Sequence, residues 1–392
     1  MKRLYLKLKY EFNNKASDVT HKSVLRQKYE LLYLLLERQF TPAEYYAYRF
    51  YEKDKKYGDM VKYISNSTLL DVIIPTLNKN SWMNIHDNKW LFHLYYDNFE
   101  IPITEVYGYY NYNGGLCKDG TSLSSPIDLK RFFRTMKPKN LVIKPVGGRC
   151  GKGILIFKNI EYYKNGNIEF ITMADNQYNL DQVCHYIVNI QLNPKYPGVL
   201  LEKKVEQHSF FNNINPFTMN DIRIVTLMDK NNEVKIIFTG NRLGRKGSET
   251  ANWARGGLSV YVDPETGVLG KGWQNPEYGG IWTEYHPDTK VKFKGQVIPM
   301  WNQIKSLSKK IATLTPELKI VGWDLVLTPT GPVVIEGNPI FNIEGVQANE
   351  LRYSLDSVWE DLSEYGIRFK YKGFSLSKAI LLYKAMKRWS RL

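Results

Sequence analysis

The sequence predicts an α+β protein in which a mostly helical N-terminal region precedes antiparallel β-sheet. Apolar residues recur at helical spacing between residues 15 and 65, for example in "SVLRQKYELLYLLLERQ". From about residue 140 the pattern changes to short apolar segments separated by turn sequences such as "KNNE" and "PETG". With 392 residues, the chain is long enough for two or three domains or subdomains.

Within the N-terminal region, "TPAEYYAYRFYE" begins with a helix start signal formed by Thr41, Pro42 and Glu44. Residues 87–110 predict a helix followed by a short strand. Residues 111–126 are rich in Gly, Asn and Ser, so we expect a loop and a domain boundary there.

The strands predicted for the second half are, in chain order, "NLVIKPV", "GILIF", "GVLLEKKV", "DIRIVTLMD", "EVKIIFTGNRL" and "LSVYVDPETGVLG". A glycine-rich loop, "GGRCGKG", separates the first two. We expect a helix over residues 294–314, followed by a β-hairpin, "GWDLVLTPTGPVVIEGNP", at residues 322–339.

The predicted hairpin carries Asp324, Glu336 and Asn338 within apolar strands. Folding at the Pro329–Thr330 turn brings Asp324 opposite Glu336 or within one residue of it. Side-chain alternation places Glu336 and Asn338 on one face. Two carboxylates this close repel each other unless a cation lies between them, and Mg²⁺ prefers oxygen ligands. The alternative is a hairpin whose acidic residues face solvent.

Lys144 interrupts an apolar strand, where an unpaired ammonium group is costly to bury. An anion would explain it, because glycines allow backbone N–H groups to approach phosphate oxygens closely. The loop that follows supplies Gly147, Gly148, Arg149, Gly151, Lys152 and Gly153. A surface hairpin with a flexible turn explains the same pattern.

Further polar residues occur on or beside predicted strands. A strand that ends at Glu202 can present its backbone to an adenine edge and its side chain to a ribose. Guanidinium groups bind phosphate or carboxylate at two points. Arg223 and Arg242 are cations on predicted apolar strands, and Asn252 and Arg255 lie in "ANWARGG". Cross-strand ion pairs with Asp221 or Glu249 are the alternative.

The net charge of +15 predicts an acidic partner, which could be nucleic acid, anionic lipid, nucleotide or an acidic polymer. The odd number of cysteines, with no metal-type spacing, indicates a reducing compartment. The start, "MKRLYLKLKYEF", lacks a continuous apolar core, so we expect neither a signal peptide nor a membrane-spanning segment. The C-terminal segment, "KGFSLSKAILLYKAMKRWSRL", is a basic amphipathic helix that could bind an anionic membrane or dock on the rest of the chain.

Taken in order, "KPVGGRCGKGI", "LLEKKV", "DIRIVTL", "GNRLGRKGSETANWARGG" and the hairpin resemble the ATP-grasp superfamily over about residues 85–350. The last motif is similar to the metal signature of D-alanine–D-alanine ligases, and the arginine strand resembles the ribosomal-protein glutamate ligases. The chain is most similar to the sugar-transfer-associated ATP-grasp enzymes. The resemblance implies an ATP-grasp fold in which two antiparallel-sheet subdomains hold ATP between them.

The resemblance also implies roles for individual residues. Lys144 and the glycine loop would contact ATP phosphates, and Glu202, Lys203 and Val205 would line the adenine and ribose pocket. Asp324, Glu336 and Asn338 would hold Mg²⁺, or Mn²⁺ in its place. The catalytic residues would be Arg223, Arg242, Asn252 and Arg255. The second strand lysine common in the superfamily is ambiguous between Lys203 and Lys204.

We expect four regions: a helical region at 1–130, a small subdomain at 131–205, a large subdomain at 206–350 and a basic helical tail at 351–392. The expected activity is ATP-dependent ligation of a carboxylate and an amine, which attaches an amino acid or amine to a surface polysaccharide or its precursor. A sugar kinase and a non-enzymatic binder of acidic polymer remain alternatives. We expect a cytoplasmic protein, with the tail able to bring it to the inner face of the membrane, and no nucleic-acid partner.

Overall fold

The computed structural model describes residues 20–148, 151–248, 250–348 and 355–368. These residues fall into two compact units. One contains residues up to Leu77, Asp229–Asn231 and residues from Asn342 onward, and the other contains Asn78–Met228 and Asn232–Phe341. Arg149, Cys150, Glu249 and the basic tail from residue 369 lie outside the described residues.

The first unit is helical, as the apolar spacing predicts. Thr41 caps the second of its helices: its side chain accepts a hydrogen bond from the backbone N–H of Glu44, whose carboxylate accepts one in return from Thr41. The helices are Val24–Arg38, Pro42–Ala47, Tyr57–Met60, Asn66–Thr68, Ile74–Leu77, Glu344–Gln347 and Leu355–Ser363, with a π-helical turn at Leu69–Ile73.

The second unit contains two seven-stranded antiparallel sheets. The sheet that spans fewer residues of the sequence contains β1 Val106–Tyr110, β2 Leu116–Cys117, β3 Leu141–Pro145, β4 Leu155–Tyr162, β5 Ile168–Thr172, β6 Gln177–Asn179 and β7 Val199–Glu202. Its strands are ordered β2-β1-β7-β3-β4-β5-β6. β2 lies inside the segment that the sequence predicts as loop. We refer to this as the small sheet.

The other sheet, called the large sheet below, contains β8 Asp221–Met228, β9 Val234–Leu243, β10 Leu258–Val262, β11 Leu269–Gln274, β12 Trp282–Thr283, β13 Ile320–Thr328 and β14 Gly331–Asn338. Its strands are ordered β12-β11-β10-β9-β8-β13-β14. The predicted hairpin forms one edge of this sheet, where β13 and β14 pair directly through the turn at residues 329–330.

Helices cover the apolar faces of this unit. Phe133 and Ile187, from two of these helices, are fully buried in one cluster with Ile143 of β3. The α-helices are Asn80–Asp87, Lys89–Asp97, Pro126–Met136, Leu180–Leu192, Ser209–Ile214 and Trp301–Thr313, with 3₁₀ turns at Trp253–Arg255 and Pro276–Tyr278.

The helix predicted over residues 294–314 begins only at Trp301. The backbone before it bonds to the β10–β11 hairpin instead: Leu269 N–H donates to the Gln296 carbonyl, and Ile298 N–H donates to the Gly267 carbonyl. Within the part of the chain that the structure describes, no helix has the length and apolar character that crossing a bilayer requires.

Candidate functional site

The β13–β14 hairpin brings the predicted metal ligands together. Asp324 lies directly opposite Glu336, with a bulge immediately after Asp324, and this pairing confirms the predicted register. Nδ2 of Asn338 lies 3.3 Å from a carboxylate oxygen of each. Turning the amide by half a rotation would direct its oxygen, rather than its nitrogen, toward the point between the two carboxylates.

Two arginines from neighbouring strands hold Asp324. Nε of Arg223 lies 2.6 Å from Oδ1, and Nη2 of Arg242 lies 2.7 Å from Oδ2. Arg242 also donates to Asp221, its cross-strand partner, so the ion pair considered as an alternative for this arginine is present. Nη1 of Arg223 is buried and has no hydrogen-bond partner among the described residues.

Burial and charge act in opposite directions on these carboxylates. Burial raises the pKa of Asp324 to about 6, although Arg223 and Arg242 favour its charged form. For Glu336, burial also acts to raise the pKa, but the nearby Lys89 and Lys144 outweigh it and hold the value at about 2. Burial raises the pKa of Asp221 as well.

Asp324, Glu336 and Asn338 suit a hard divalent cation that takes its remaining ligands from water and phosphate. Among the described residues, no group of three or more His, Cys, Asp or Glu side chains is placed to hold a metal ion. The hairpin offers two carboxylates and one carboxamide, and Mg²⁺ characteristically completes its shell with water and phosphate oxygens. Both oxygens of Asp324 are already approached by arginine nitrogens, so a metal ion at the hairpin would share this carboxylate with Arg223 and Arg242.

Lys144 faces a buried carboxylate on the small sheet. Its Nζ lies 2.6 Å from Oε1 of Glu202, which Nε2 of His93 approaches to 2.9 Å. Lys144 and Glu202 are 4% and 3% exposed. Burial would raise the pKa of Glu202, but Lys144 and His93 lower it to about 2, so the carboxylate is charged. Its predicted contact with a ribose stays a prediction.

Lys89 lies beside the predicted site, although its sequence context did not identify it. Its Nζ donates to the carbonyl of Gly148 at 2.6 Å and lies 3.7 Å from Oε2 of Glu336. It therefore links the glycine loop to the β13–β14 hairpin that carries the predicted metal ligands, called the metal hairpin below. Burial lowers its pKa. The available signal was Asn88, which caps the helix that begins at Lys89 and leaves the lysine at its first position.

The two lysines proposed from the sequence are placed differently. Lys203 is half exposed and pairs with Glu105 at 2.9 Å. Lys204 donates through its backbone N–H to the side chain of Asn140, and burial lowers its pKa. Val205 is half-buried just beyond β7. Among the described residues, Lys89 rather than Lys203 approaches both the glycine loop and the metal hairpin.

The glycine loop needs glycine for steric reasons. Gly151 and Gly153 have φ angles of +67° and +73°, which side chains disfavour. A Cβ at Gly151 would also lie 2.8 Å from Cγ2 of Thr250, on the loop that follows β9. Lys152 is exposed between them.

Asn252 and Arg255 lie at the 3₁₀ turn between β9 and β10. Asn252 accepts a hydrogen bond from the backbone N–H of Ala254 and so caps the 3₁₀ turn. Arg255 is exposed at the end of that turn. Of the ion pairs described here, those around Asp324 and Glu202 include neither residue. Their predicted catalytic role remains a prediction.

His86 packs against β14 between Glu336 and Asn338, two of the predicted metal ligands. A Cβ at Gly337 would lie 2.2 Å from Nδ1 of His86 and 2.6 Å from the ring of Trp323. The other ring nitrogen, Nε2, lies 3.0 Å from Oη of Tyr96. The imidazole is 4% exposed, so it fixes the backbone that joins Glu336 to Asn338.

Comparison with solved structures finds carboxylases and ligases at low sequence identity. A biotin carboxylase from Campylobacter jejuni, in a β-γ-ATP complex, shares 10% identity over 76% of this chain and 50% of its own, with a TM-score of 0.45. A D-alanine–D-alanine ligase from Coxiella burnetii shares 9% identity over 80% of this chain and 64% of its own, with a TM-score of 0.38. The chain thus spans about half the length of the first of these structures.

A third structure is the biotin carboxylase domain of Hydrogenobacter thermophilus 2-oxoglutarate carboxylase, bound to the magnesium salt of ADP and to bicarbonate. It shares 14% identity over 73% of this chain and 47% of its own, with a TM-score of 0.38. No curated protein matches the chain.

The family comparison is more specific. The family described as sugar-transfer associated ATP-grasp matches residues 71–355, which is well over half of the chain. This range includes both sheets, the glycine loop and the metal hairpin. The predicted α+β ATP-grasp fold, with a helical region before its sheets, is confirmed. The chain belongs to the sugar-transfer-associated ATP-grasp family.

Proposed function

We propose that the protein is an ATP-dependent carboxylate–amine ligase that forms an amide through an acyl phosphate. The observation that carries the proposal is the juxtaposition of Lys89 with both the Gly148 carbonyl and Glu336. Through these contacts Lys89 joins a glycine loop suited to binding phosphate to a hairpin whose carboxylate and carboxamide oxygens suit a divalent cation.

Asp324, Glu336 and Asn338 would hold Mg²⁺, and Mn²⁺ would be accepted at the same oxygens. Lys144, Lys89 and the glycine loop would contact the ATP phosphates. When bound, the metal would neutralise negative charge on the phosphates of ATP.

A carboxylate is a poor electrophile because its leaving group would be oxide. Phosphorylation of the carboxylate by ATP gives an acyl phosphate with a good leaving group, and attack by an amine then releases phosphate and forms the amide. Arg223 is suited to this chemistry, since its buried Nη1 has a donor left for a phosphoryl oxygen. Arg242, held by Asp221 and Asp324, would stabilise the later oxyanion.

The acceptor we propose is a surface polysaccharide or its precursor, to which an amino acid or amine is attached. The family's association with sugar transfer and the net charge of +15 both support an acidic glycan substrate. We place the reaction in the cytoplasm, where the basic residues Lys378, Lys384, Lys387, Arg388 and Arg391 would bring the chain to anionic lipid.

Screening ADP release over amino acids and candidate glycans, with hydroxylamine as a trap, tests the proposal. A ligase gives a hydroxamate from the acyl phosphate, and Arg242→Ala should abolish it while ATP still binds. Stable phosphate on a sugar hydroxyl, without hydroxamate, would identify a kinase. ATP binding with no ADP release under any condition would favour a binding protein.

A further inference from the structure

The small sheet carries a second polar cleft beside the glycine loop. The cleft has a volume of about 530 Å³, which is in the range of small-molecule sites. It lies between the end of β1 and the segment that connects the Leu180–Leu192 helix to β7. The side chains that define it are Tyr109, Asn111, Asn113, Gln191, Asn193 and Tyr196.

The chemistry of this lining differs from that of the proposed ATP site. In a chain with a net charge of +15, the residues lining the described cleft include no charged side chain. Carboxamides both donate and accept hydrogen bonds, as sugar hydroxyls do. Tyrosine rings offer faces on which the C–H side of a sugar ring can pack. The combination suits an uncharged, polyhydroxylated ligand and offers no cation to neutralise a phosphate.

The cleft is held in shape by its own hydrogen bonds. Oη of Tyr109 donates to the carbonyl of Pro197 at 2.6 Å, and Nδ2 of Asn111 donates to Oη of Tyr109, also at 2.6 Å. The Tyr109 ring stacks on Trp90 at 5.3 Å with an interplanar angle of 13°. A Cβ at Gly198 would lie 2.2 Å from this ring, so glycine permits the arrangement.

Two carboxamides remain for a ligand. Oε1 of Gln191 is buried and has no hydrogen-bond partner among the described residues. Asn113 is exposed, and its interaction with Asn111 is made through its backbone N–H. The exposed Asn113 side chain can therefore bind a sugar hydroxyl directly, and Gln191 can do so once its side chain turns toward the cleft, without giving up bonds that maintain the fold.

The cleft adjoins the loop expected to hold phosphate. The ring of Pro197 would lie 3.4 Å from a Cβ at Gly147, and the backbone N–H of Val146 donates to the Gly198 carbonyl at 2.9 Å. We infer that the cleft binds uncharged saccharide residues of the glycan acceptor and so positions the acceptor beside the reaction centre. Its assignment to the acceptor rests on the proposed function, whereas saccharide binding does not.

Saturation-transfer NMR tests saccharide binding without ATP or metal. The probes are chitobiose, maltotriose and cellotriose, with trigalacturonate as the charged comparison. Wild-type protein should bind at least one neutral probe. The Asn113→Ala/Gln191→Ala variant should bind it about tenfold more weakly, because two hydrogen bonds are lost. Asn189→Ala removes an exposed carboxamide from the same helix but outside the cleft, and should bind normally.

Nucleotide binding, measured in parallel, checks that the double variant is folded. The inference is overturned if no neutral probe binds, or if the double variant binds as tightly as wild type. It is also overturned if only trigalacturonate binds and salt abolishes that binding, since surface cations would then be responsible. Saccharide binding in a protein that never yields a hydroxamate would reject the ligase and with it the acceptor role, but would leave saccharide binding by the cleft intact.

Discussion

The small and large sheets bury their charges in different ways. On the small sheet, Glu202 is compensated by Lys144 and His93, and its pKa is lowered to about 2. On the large sheet, Asp324 has two arginines beside it, yet burial raises its pKa to about 6. The first is a closed arrangement, whereas the second contains carboxylates that gain from a further cation. The difference separates a group whose charges are balanced before a ligand binds from one whose charges a bound cation would balance.

The largest effect should come from breaking the closed arrangement. Lys144→Ala leaves Glu202 as a buried carboxylate with less compensation, so we expect the free energy of unfolding to fall by about 3–5 kcal/mol. Urea unfolding measures this loss. Adding Glu202→Gln to the variant should recover much of the stability. If Lys144→Ala is as stable as wild type, the ion pair does not support the small sheet.

The second effect concerns pH and the imidazole behind the metal hairpin. Burial lowers the pKa of His86 from 6.5 to about 4. Between these values the unfolded chain binds the proton and the folded chain does not, so stability is full above pH 6.5 and falls as the pH approaches 4. The loss amounts to about 3 kcal/mol.

Unfolding free energies at pH 7.5, 6 and 5 measure this dependence. His86→Gln should reduce the slope, whereas His185→Gln, which changes an exposed histidine, should retain it. Equal slopes in wild type and His86→Gln would show that His86 titrates normally.

A smaller effect should follow from adding one methyl group to β14. In Gly337→Ala, the new Cβ would overlap His86 and Trp323, and overpacking of this kind costs about 1–3 kcal/mol. Gly58→Ala is the control, because a Cβ there would have no neighbour within 4 Å. Thermal unfolding should show a lower melting temperature for Gly337→Ala than for Gly58→Ala. A Mg²⁺ titration of nucleotide binding then shows whether the displaced β14 also weakens metal binding.

The smallest change in stability is expected at the carboxylates of the β13–β14 hairpin. The Glu336 side chain is 31% exposed, and its distance to Lys89 is 3.7 Å, so Glu336→Gln should change stability by less than about 1 kcal/mol. Its apparent affinity for Mg²⁺ should nevertheless fall at least about tenfold. Glu265→Gln, at an exposed ion pair with Lys305, should change neither. Normal Mg²⁺ dependence in Glu336→Gln would exclude Glu336 from the metal site.

The parts of the site that the sequence predicted are those determined locally. A single turn sets the β13–β14 register, so the pairing of Asp324 with Glu336 follows from the order of residues in the hairpin. The lysine before the glycine loop was recognisable for the same reason. Lys89 and His86 were missed because their partners, Gly148, Glu336 and Gly337, are brought to them only by tertiary packing.

Two helices were missed although their start signals are local. Ser125 with Asp128, and Asn179 with Gln182, form capping boxes at the helices Pro126–Met136 and Leu180–Leu192. The opposite error occurred at residue 294, where apolar spacing predicted helix but backbone bonding to the β10–β11 hairpin prevents it until Trp301. Periodicity alone does not reveal such competition for hydrogen bonds.

The contact between His86 and Gly337 also constrains how the sequence can vary. A side chain at residue 337 would overlap both His86 and Trp323, so a larger residue there requires smaller residues at positions 86 and 323, and the three positions are expected to change together. In a library that randomises all three, tolerated variants should combine a larger residue 337 with smaller residues 86 and 323. This epistasis would join a helix and a strand that are distant in the chain, and it would appear in selection for stability even without substrate.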